Sequence, residues 1–149
     1  MIEALNLEKK MSTRSKGRLA ENQMIKILIN WGYKPEAIEQ ARPTLKMIGK
    51  GRFISSQNDF FGLFDILAKD KSRNTTTYIQ VKHTKSGTIT EVRPKIRRFK
   101  GLYGCGTDIF IVAEKVPYKG FKLHYILEKE YKIVNIDLNG NFQENGKTN

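Results

Sequence analysis

The feature that most constrains the fold is a pair of strand-like segments joined by a short polar loop. The first segment spans residues 58–68 and the second spans residues 76–82, and both are rich in the aromatic and β-branched residues typical of strands. Residues 69–75 between them are polar and turn-prone. We therefore predict an antiparallel hairpin. In a hairpin symmetric about Ser72 and Arg73, Asp65 lies directly opposite Gln80.

The alternation of side chains along the two strands predicts a polar group of residues on one face. Gln80 and Lys82 share a face of the second strand, and Asp65 interrupts an apolar row in the first. Cross-strand neighbours have Cβ atoms about 5 Å apart, so oxygens of Asp65 and Gln80 are close enough to bind one hard cation. A salt bridge between Asp65 and Lys82 on a sheet surface is the alternative reading.

The remaining pattern predicts a single α/β domain over residues 1–149. We expect a basic, flexible arm over residues 1–15 and a polar tail over residues 140–149. Residues 34–50 carry no clear pattern. Helices are expected over 16–31, ending at Gly32, and from near Pro94 to Gly104. Strands are expected at 52–56, at 121–127, at 131–136 and, with both faces covered, at 108–113.

Composition limits the classes of function. The net charge is +12, from 27 Lys and Arg against 15 Asp and Glu, which indicates a polyanionic partner. Cys105 is the only cysteine, which excludes a disulfide framework and a cysteine-rich metal site. The apolar run at 109–113 is far shorter than the ~20 residues of a membrane span. We expect an intracellular, cytoplasmic protein that is neither secreted nor membrane-bound.

Two basic surfaces are candidates for contacts with nucleic-acid phosphates, which give strong salt dependence and little sequence preference. A solvated charged face is the alternative for the first of them. The first surface is the predicted second helix with the loop before it: Lys85, Arg93, Lys95, Arg97, Arg98 and Lys100. The second is the arm and the start of the first helix: Arg14, Lys16 and Arg18.

Two further acids and two histidines remain to be placed. Glu21 lies at the edge of the apolar stripe of the first helix, where a site residue or a solvent-facing acid is expected. Asp59 is expected on the same face of the strand as Asp65, because the two residues are an even number of positions apart. An extended strand separates them by roughly 20 Å unless the chain bends near Gly62. A turn hydrogen bond is its other expected role. His83 and His124 lack metal-ligand spacing and are expected to be structural.

The order of these elements and polar residues resembles the PD-(D/E)xK nuclease superfamily, in particular its archaeal Holliday junction resolvases. The resemblance is carried by residues 64–68 and 78–82, which are similar to the two motif strands, and by the helix that bears Glu21. It covers residues 16–113. Gln80 stands where the family usually has Glu or Asp. The resemblance implies a central mixed β-sheet flanked by helices, with the restriction-endonuclease-like αβββαβ core.

The resemblance also implies an activity. Asp65 would be the principal ligand of Mg²⁺ or Mn²⁺, Gln80 would offer its amide oxygen, and Glu21 would bind the ion directly or through water. Lys82 would position or activate the attacking water. The implied protein is a homodimeric DNA endonuclease that acts on branched DNA in recombination and repair. A restriction-type or repair nuclease on duplex or flap DNA, or a DNA-binding module without catalysis, are the alternatives. No nucleotide cofactor is expected, because no phosphate-binding glycine loop precedes a helix.

Overall fold

The structure, a computed structural model, describes residues 13–42, 44–56, 59–83 and 86–143, with side chains described at 17–42, 47–52, 59–83 and 89–143. Within these residues the chain forms two α-helices, a 3-10 turn at Pro35–Ala37 and nine strands. The helices are α1 (Thr13–Asn30) and α2 (Ser86–Tyr103). The strands are β1 (Ile38–Gln40), β2 (Thr44–Gly49), β3 (Arg52–Ser56), β4 (Ile66–Asp70), β5 (Thr75–Lys82), β6 (Ile109–Lys115), β7 (Phe121–Ile126), β8 (Tyr131–Ile136) and β9 (Phe142–Gln143).

Seven of these strands form one mostly antiparallel sheet in the order β1-β4-β5-β6-β7-β8-β9. β4 and β5 form the predicted hairpin in the predicted register, from Ile66 opposite Ile79 to Asp70 opposite Thr75. The chain reverses through residues 71–74, where Asn74 has a φ of 54°. Asparagine tolerates this left-handed conformation better than most residues. Together with the two helices, the seven-stranded sheet confirms the predicted α/β class.

β5 and β6 are parallel neighbours, and α2 forms the connection between them. β6 is buried on both faces, as its apolar run predicts. Ile111 and Ala113 pack in the core under α1, and Phe110 and Val112 pack in the core under α2. The sheet thus separates two apolar cores. Its buried central strands fix the positions of the side chains at their ends.

The segment before β4 differs from the predicted continuous strand at 58–68. Phe61 and Gly62 have φ values of 56° and 72°, and the Leu63 N–H donates a 3.0 Å hydrogen bond to the Phe60 carbonyl. Two consecutive positive φ values with this bond are typical of a type I′ turn. The chain therefore folds back before Asp65. The bend near Gly62 that would bring the two acids together is present, because glycine accepts a positive φ without strain.

The second helix begins earlier than predicted, at Ser86 rather than near Pro94. Pro94 lies inside it, exposed on the outer face. The apolar spacing of Ile89, Val92 and Ile96 already indicates one continuous helix, because all three pack in the core under α2. Tyr103, the last residue of the helix, is 69% exposed.

Both predicted chain ends are partly wrong. The predicted arm at 1–15 ends earlier, because α1 begins at Thr13; residues 1–12 lie outside the described residues. The predicted tail includes β9, which pairs with β8. Gly140 accepts a 2.8 Å hydrogen bond from Trp31 Nε1, and the Phe142 ring stacks on Trp31 at 5.8 Å. These contacts join the end of α1 to the far edge of the sheet. Residues 144–149 again lie outside the description.

The unassigned segment at 34–50 contains two strands. β1 pairs with β4 and extends the main sheet at the edge next to Asp65. β2 pairs with β3, the predicted strand at 52–56, in a separate two-stranded sheet. Among the helical residues that the structure describes, none forms a segment long and apolar enough to span a bilayer.

Candidate active site

Three acidic side chains from separate segments converge where β4 begins. Glu21 comes from α1, Asp59 precedes the type I′ turn, and Asp65 immediately precedes β4. Repulsion from the Asp59 and Glu21 carboxylates contributes to a raised pKa of Asp65, and Asp59 also raises the pKa of Glu21. Such mutual effects require the carboxylates to lie near one another. The fold thus creates a concentrated negative charge at one end of a strand.

Asp65 is held by the backbone on both sides. Its N–H donates to the Ile79 carbonyl and its own carbonyl accepts from the Ala41 N–H, both at 2.8 Å. The side-chain Oδ2 accepts a 2.7 Å hydrogen bond from the Val81 N–H. These bonds link Asp65 to β5 and to the residue after β1, so the carboxylate has little freedom to move. Its position is set by the sheet.

Asp65 is only 4% exposed, and this burial dominates its acidity. Desolvation raises the pKa of its carboxyl to about 8, the hydrogen bond from Val81 lowers the pKa, and Asp59 and Glu21 raise it. A hydrogen bond with Asp59 also favours the protonated form. A cation bound nearby would therefore lower the pKa of this carboxyl and favour the loss of its proton.

Glu21 is held at the edge of the site by a residue that the sequence pattern did not indicate. The Gln40 Nε2 atom donates a 2.9 Å hydrogen bond to Glu21 Oε1. Partial burial raises the pKa of Glu21, while the Gln40 bond and the Arg18 guanidinium lower it. Gln40 ends β1, inside the stretch that carried no strand signal, so only the sheet geometry identifies it.

Gln80 and Lys82 lie on β5 beside β6, opposite Val112 and Glu114 in the parallel register. Gln80 is 7% exposed and Lys82 is partly buried. The β4–β5 pairing ends at Ile66 opposite Ile79, so the predicted pair of Asp65 and Gln80 is not among the cross-strand partners of these two strands; the Asp65 N–H donates to the Ile79 carbonyl instead. Among the described residues no ion pair joins Lys82 to Asp65, so the surface salt bridge is not the arrangement here.

Asp59 is nearer to the site than its sequence separation suggests. The 20 Å estimate applies to an extended chain, but a type I′ turn at Phe61 and Gly62 stands in place of the extended strand. Asp59 interacts with Asp65 through both charge and a hydrogen bond. The structure therefore adds Asp59 to the group formed by Asp65 and Glu21.

The donor set of this group suits a hard divalent cation. Carboxylate and amide oxygens are the ligands that Mg²⁺ prefers, and a cation would offset the repulsion that raises the pKa of Asp65. Within the described residues, no group of three or more His, Cys, Asp or Glu side chains is arranged so that it could hold a metal ion. Two or three protein oxygens with the remaining positions filled by water are sufficient for Mg²⁺.

The predicted phosphate-contacting residues of α2 divide into two groups. Lys95 and Arg98 are exposed. Arg93 and Arg97 instead lie over the Tyr131 ring, at 4.2 and 4.0 Å from its centre. Arg97 also donates to the Leu127 and Glu130 carbonyls at 3.1 and 2.9 Å, so it serves to hold the β7–β8 turn.

The other basic candidates are distributed differently. Lys100 is half-buried and lies 6.0 Å from the centre of the Phe110 ring. Arg18 is exposed, next to Glu21 on α1. Lys85 and the side chains of Arg14 and Lys16 lie outside the description. Exposed basic residues thus remain on both helices.

The histidines do not join the acidic group. His124 is buried in β7, and its Nε2 atom lies 2.9 Å from Glu114 Oε1 on the neighbouring strand. Burial lowers the pKa of His124, whereas Glu114 raises it. His83 is half-buried directly after β5. The Glu114 partner of His124 was not visible in the sequence pattern, because it depends on the β6–β7 register.

The comparisons with known proteins give no relative for this chain. No protein-family model matches it, and neither the curated proteins nor the solved structures give a significant match.

Proposed function

We propose that this protein is a metal-dependent DNA endonuclease. The observation that carries the proposal is the convergence of Glu21, Asp59 and Asp65 at the start of β4, next to β5, the strand that bears Gln80 and Lys82.

 Acids that repel one another are retained together at a buried strand end only where a cation or a proton balances them. The proposed reaction is hydrolysis of phosphodiester bonds in DNA.

The order of elements supports a restriction-endonuclease-like core. When β2 and β3 of the separate two-stranded sheet are left aside, α1, β1, β4, β5, α2 and β6 have the order αβββαβ, and β1, β4, β5 and β6 are adjacent in the main sheet. The first two pairings are antiparallel and the third is parallel. Asp65 and Gln80 lie at the same end of β4 and β5, which supports the proposal that they share one site.

In the proposed site, Asp65 is the principal ligand of Mg²⁺ or Mn²⁺, and Gln80 and Glu21 complete the protein oxygens, with Asp59 as a further candidate. A bound ion would supply charge stabilisation at the attacked phosphate. The Val81 N–H and the Gln40 amide fix the orientation of Asp65 and Glu21. The Lys82 ammonium adds a positive charge that holds the attacking water and favours its deprotonation.

The proposed substrate is branched DNA such as a four-way junction, cut by a homodimer in recombination or repair. The resemblance to archaeal resolvases motivates both the branched substrate and the dimer. The net charge of +12 and the exposed Arg18, Lys95 and Arg98 support a nucleic-acid partner, because cations on two helices can contact separate phosphates. A restriction-type or repair nuclease would use the same residues on duplex or flap DNA.

The neutral Gln80 favours a second candidate, a DNA-binding module without catalysis. An amide contributes less to cation binding than a carboxylate, because it lacks the negative charge. Calorimetric titration with Mn²⁺ separates the two candidates. A nuclease binds the ion in the wild type and more tightly in Gln80→Glu, whereas a module without a metal site binds it in neither.

Cleavage of a labelled four-way junction, a flap and a linear duplex of the same sequence tests the proposal. We expect cutting of the junction with Mg²⁺ and none with a chelator. Equal cutting of all three substrates would contradict the branched-DNA assignment and leave the nuclease. Absence of cutting on every substrate with Mg²⁺ and with Mn²⁺ would contradict the nuclease itself.

A further inference from the structure

Phe61 is an exposed aromatic residue held in a costly backbone conformation beside the candidate site. Its φ is 56°, and 67% of its surface is exposed. A bulky residue in the left-handed region costs about 1–2 kcal/mol, and type I′ turns usually place Asn, Asp or Gly there. Neither the fold nor the core requires a ring at this position, because most of its surface lies in solvent.

The ring belongs to a larger aromatic surface, the aromatic platform, formed by Phe61, Phe99 and Tyr103. The Phe61 and Phe99 ring centres are 5.2 Å apart, and those of Phe99 and Tyr103 are 5.1 Å apart. Phe99 also contacts Phe64 of the core at 5.3 Å, which supports the platform from below. Tyr103 is 69% exposed, so the platform is open at both ends.

The charge around the platform indicates what it contacts. Lys95 is four residues before Phe99 on α2 and therefore lies on the same side of the helix, and the exposed Arg98, three residues after Lys95, is a neighbour of that lysine. The platform is thus flanked by cations on the helix. On its other side, the Phe61 turn joins Asp59 to Asp65. An aromatic surface flanked by cations matches a nucleobase with its phosphates.

We propose that the aromatic platform binds one unpaired nucleobase of DNA by stacking on Phe61, next to the phosphate that enters the candidate site. This inference rests on the proposed function and adds a reason for selectivity. Fully paired duplex has no free base face to offer, whereas a branch point or gap does. Lys95 and Arg98 contact the flanking phosphates of the same strand.

The test measures binding without divalent metal, so it does not depend on cleavage. Fluorescence of 2-aminopurine at the unpaired position of a gapped DNA reports stacking, and titration gives the dissociation constant. Phe61→Asn is the informative variant, because Asn suits the type I′ turn and removes the ring without disturbing the fold. Tyr118→Asn is the matched control, since Tyr118 is 44% exposed with a φ of 61° in the β6–β7 turn.

We expect the wild type to change the 2-aminopurine signal and to bind gapped DNA more tightly than duplex. Phe61→Asn should lose about 5- to 100-fold in affinity for gapped DNA, the effect of one stacked base, with duplex binding unchanged. Tyr118→Asn should behave as the wild type. Unchanged binding in Phe61→Asn, an equal loss in Tyr118→Asn, or a change of oligomeric state in Phe61→Asn would overturn the inference. Failure of the nuclease proposal would instead show as absent cleavage with the base signal intact.

Discussion

The Oδ2 atom of Asp65 accepts a 2.7 Å hydrogen bond from the Val81 N–H, which lies between Gln80 and Lys82 in β5. One bond therefore fixes the carboxylate relative to both of the other candidate side chains. Because the donor is a backbone group, the distance between the strands determines the geometry. Substitution of the Val81 side chain leaves this donor in place.

Asp65→Asn should stabilise the protein at alkaline pH when no divalent metal is present. The pKa of Asp65 is raised from 3.8 to about 8, so the stability associated with its proton is present below about pH 4 and is lost as pH rises through 8. At pH 9 the variant should exceed the wild type by about 1–3 kcal/mol in the free energy of unfolding. The difference should shrink towards pH 4.

Chemical denaturation at pH 4, 7 and 9 in a chelator checks this prediction, with Glu128→Gln as an exposed control. Added Mg²⁺ should raise the melting temperature of the wild type and leave that of Asp65→Asn unchanged. A variant less stable than the wild type at pH 9 would contradict the account of a buried, repelled carboxylate.

Gln40→Leu should weaken metal binding without unfolding the protein. The substitution removes the donor to Glu21 Oε1, and the outer residues of a metal site commonly change affinity by 10–100-fold. Calorimetric titration with Mn²⁺ measures the change. Glu39→Leu, an exposed neighbour on the same strand, serves as the control. Equal affinity in both variants would show that Gln40 does not orient a ligand.

Arg97→Ala and Arg98→Ala should act on different properties. Arg97 loses two carbonyl hydrogen bonds and its contact with Tyr131, so we expect a destabilisation of about 1–2 kcal/mol. Arg98 is exposed, and its loss should reduce the salt dependence of DNA binding by about one phosphate contact with stability unchanged. Denaturation and salt-dependent anisotropy measure the two effects. The reverse assignment of effects would contradict this division of α2.

His124 should make the protein less stable in acid. Burial lowers its pKa below the usual 6.5, so the stability it contributes is present above pH 6.5 and is lost as pH falls through the folded-state pKa. His124→Gln should flatten this dependence while keeping a donor towards Glu114. Denaturation from pH 7.5 to 5 measures it, with His83→Gln as the control. An unchanged profile in His124→Gln would exclude His124 as the cause.

Much of the fold follows from local pattern. The β4–β5 register was predictable because polar turn residues centre the hairpin, and β6 was predictable because its apolar run lacks alternation. The start of α2 differs from the prediction because proline is also favoured in a first helical turn, although Ile89 and Ile96 already follow helical spacing. β1 was missed because it is only three residues long and flanked by proline.

The approach of Asp65 to β5 follows from the predicted hairpin, whereas the contacts of Asp59 and Glu21 do not. The approach of Asp59 depends on two consecutive positive φ values, which are unexpected for Phe61 on local preference. The Gln40 bond to Glu21 and the Glu114 contact of His124 depend on strand pairing between distant segments. Such contacts arise from tertiary structure and leave no periodic signal in the sequence.

Single-turnover cleavage of a four-way junction by Lys82→Ala tests the central claim most directly. Lys132→Ala, an exposed lysine on β8, is the matched control. We predict that Lys82→Ala binds the junction with wild-type affinity and cuts it at least 100-fold more slowly, on the order of the loss of one group that stabilises transition-state charge. Cleavage by Lys82→Ala at the wild-type rate would contradict the proposed site.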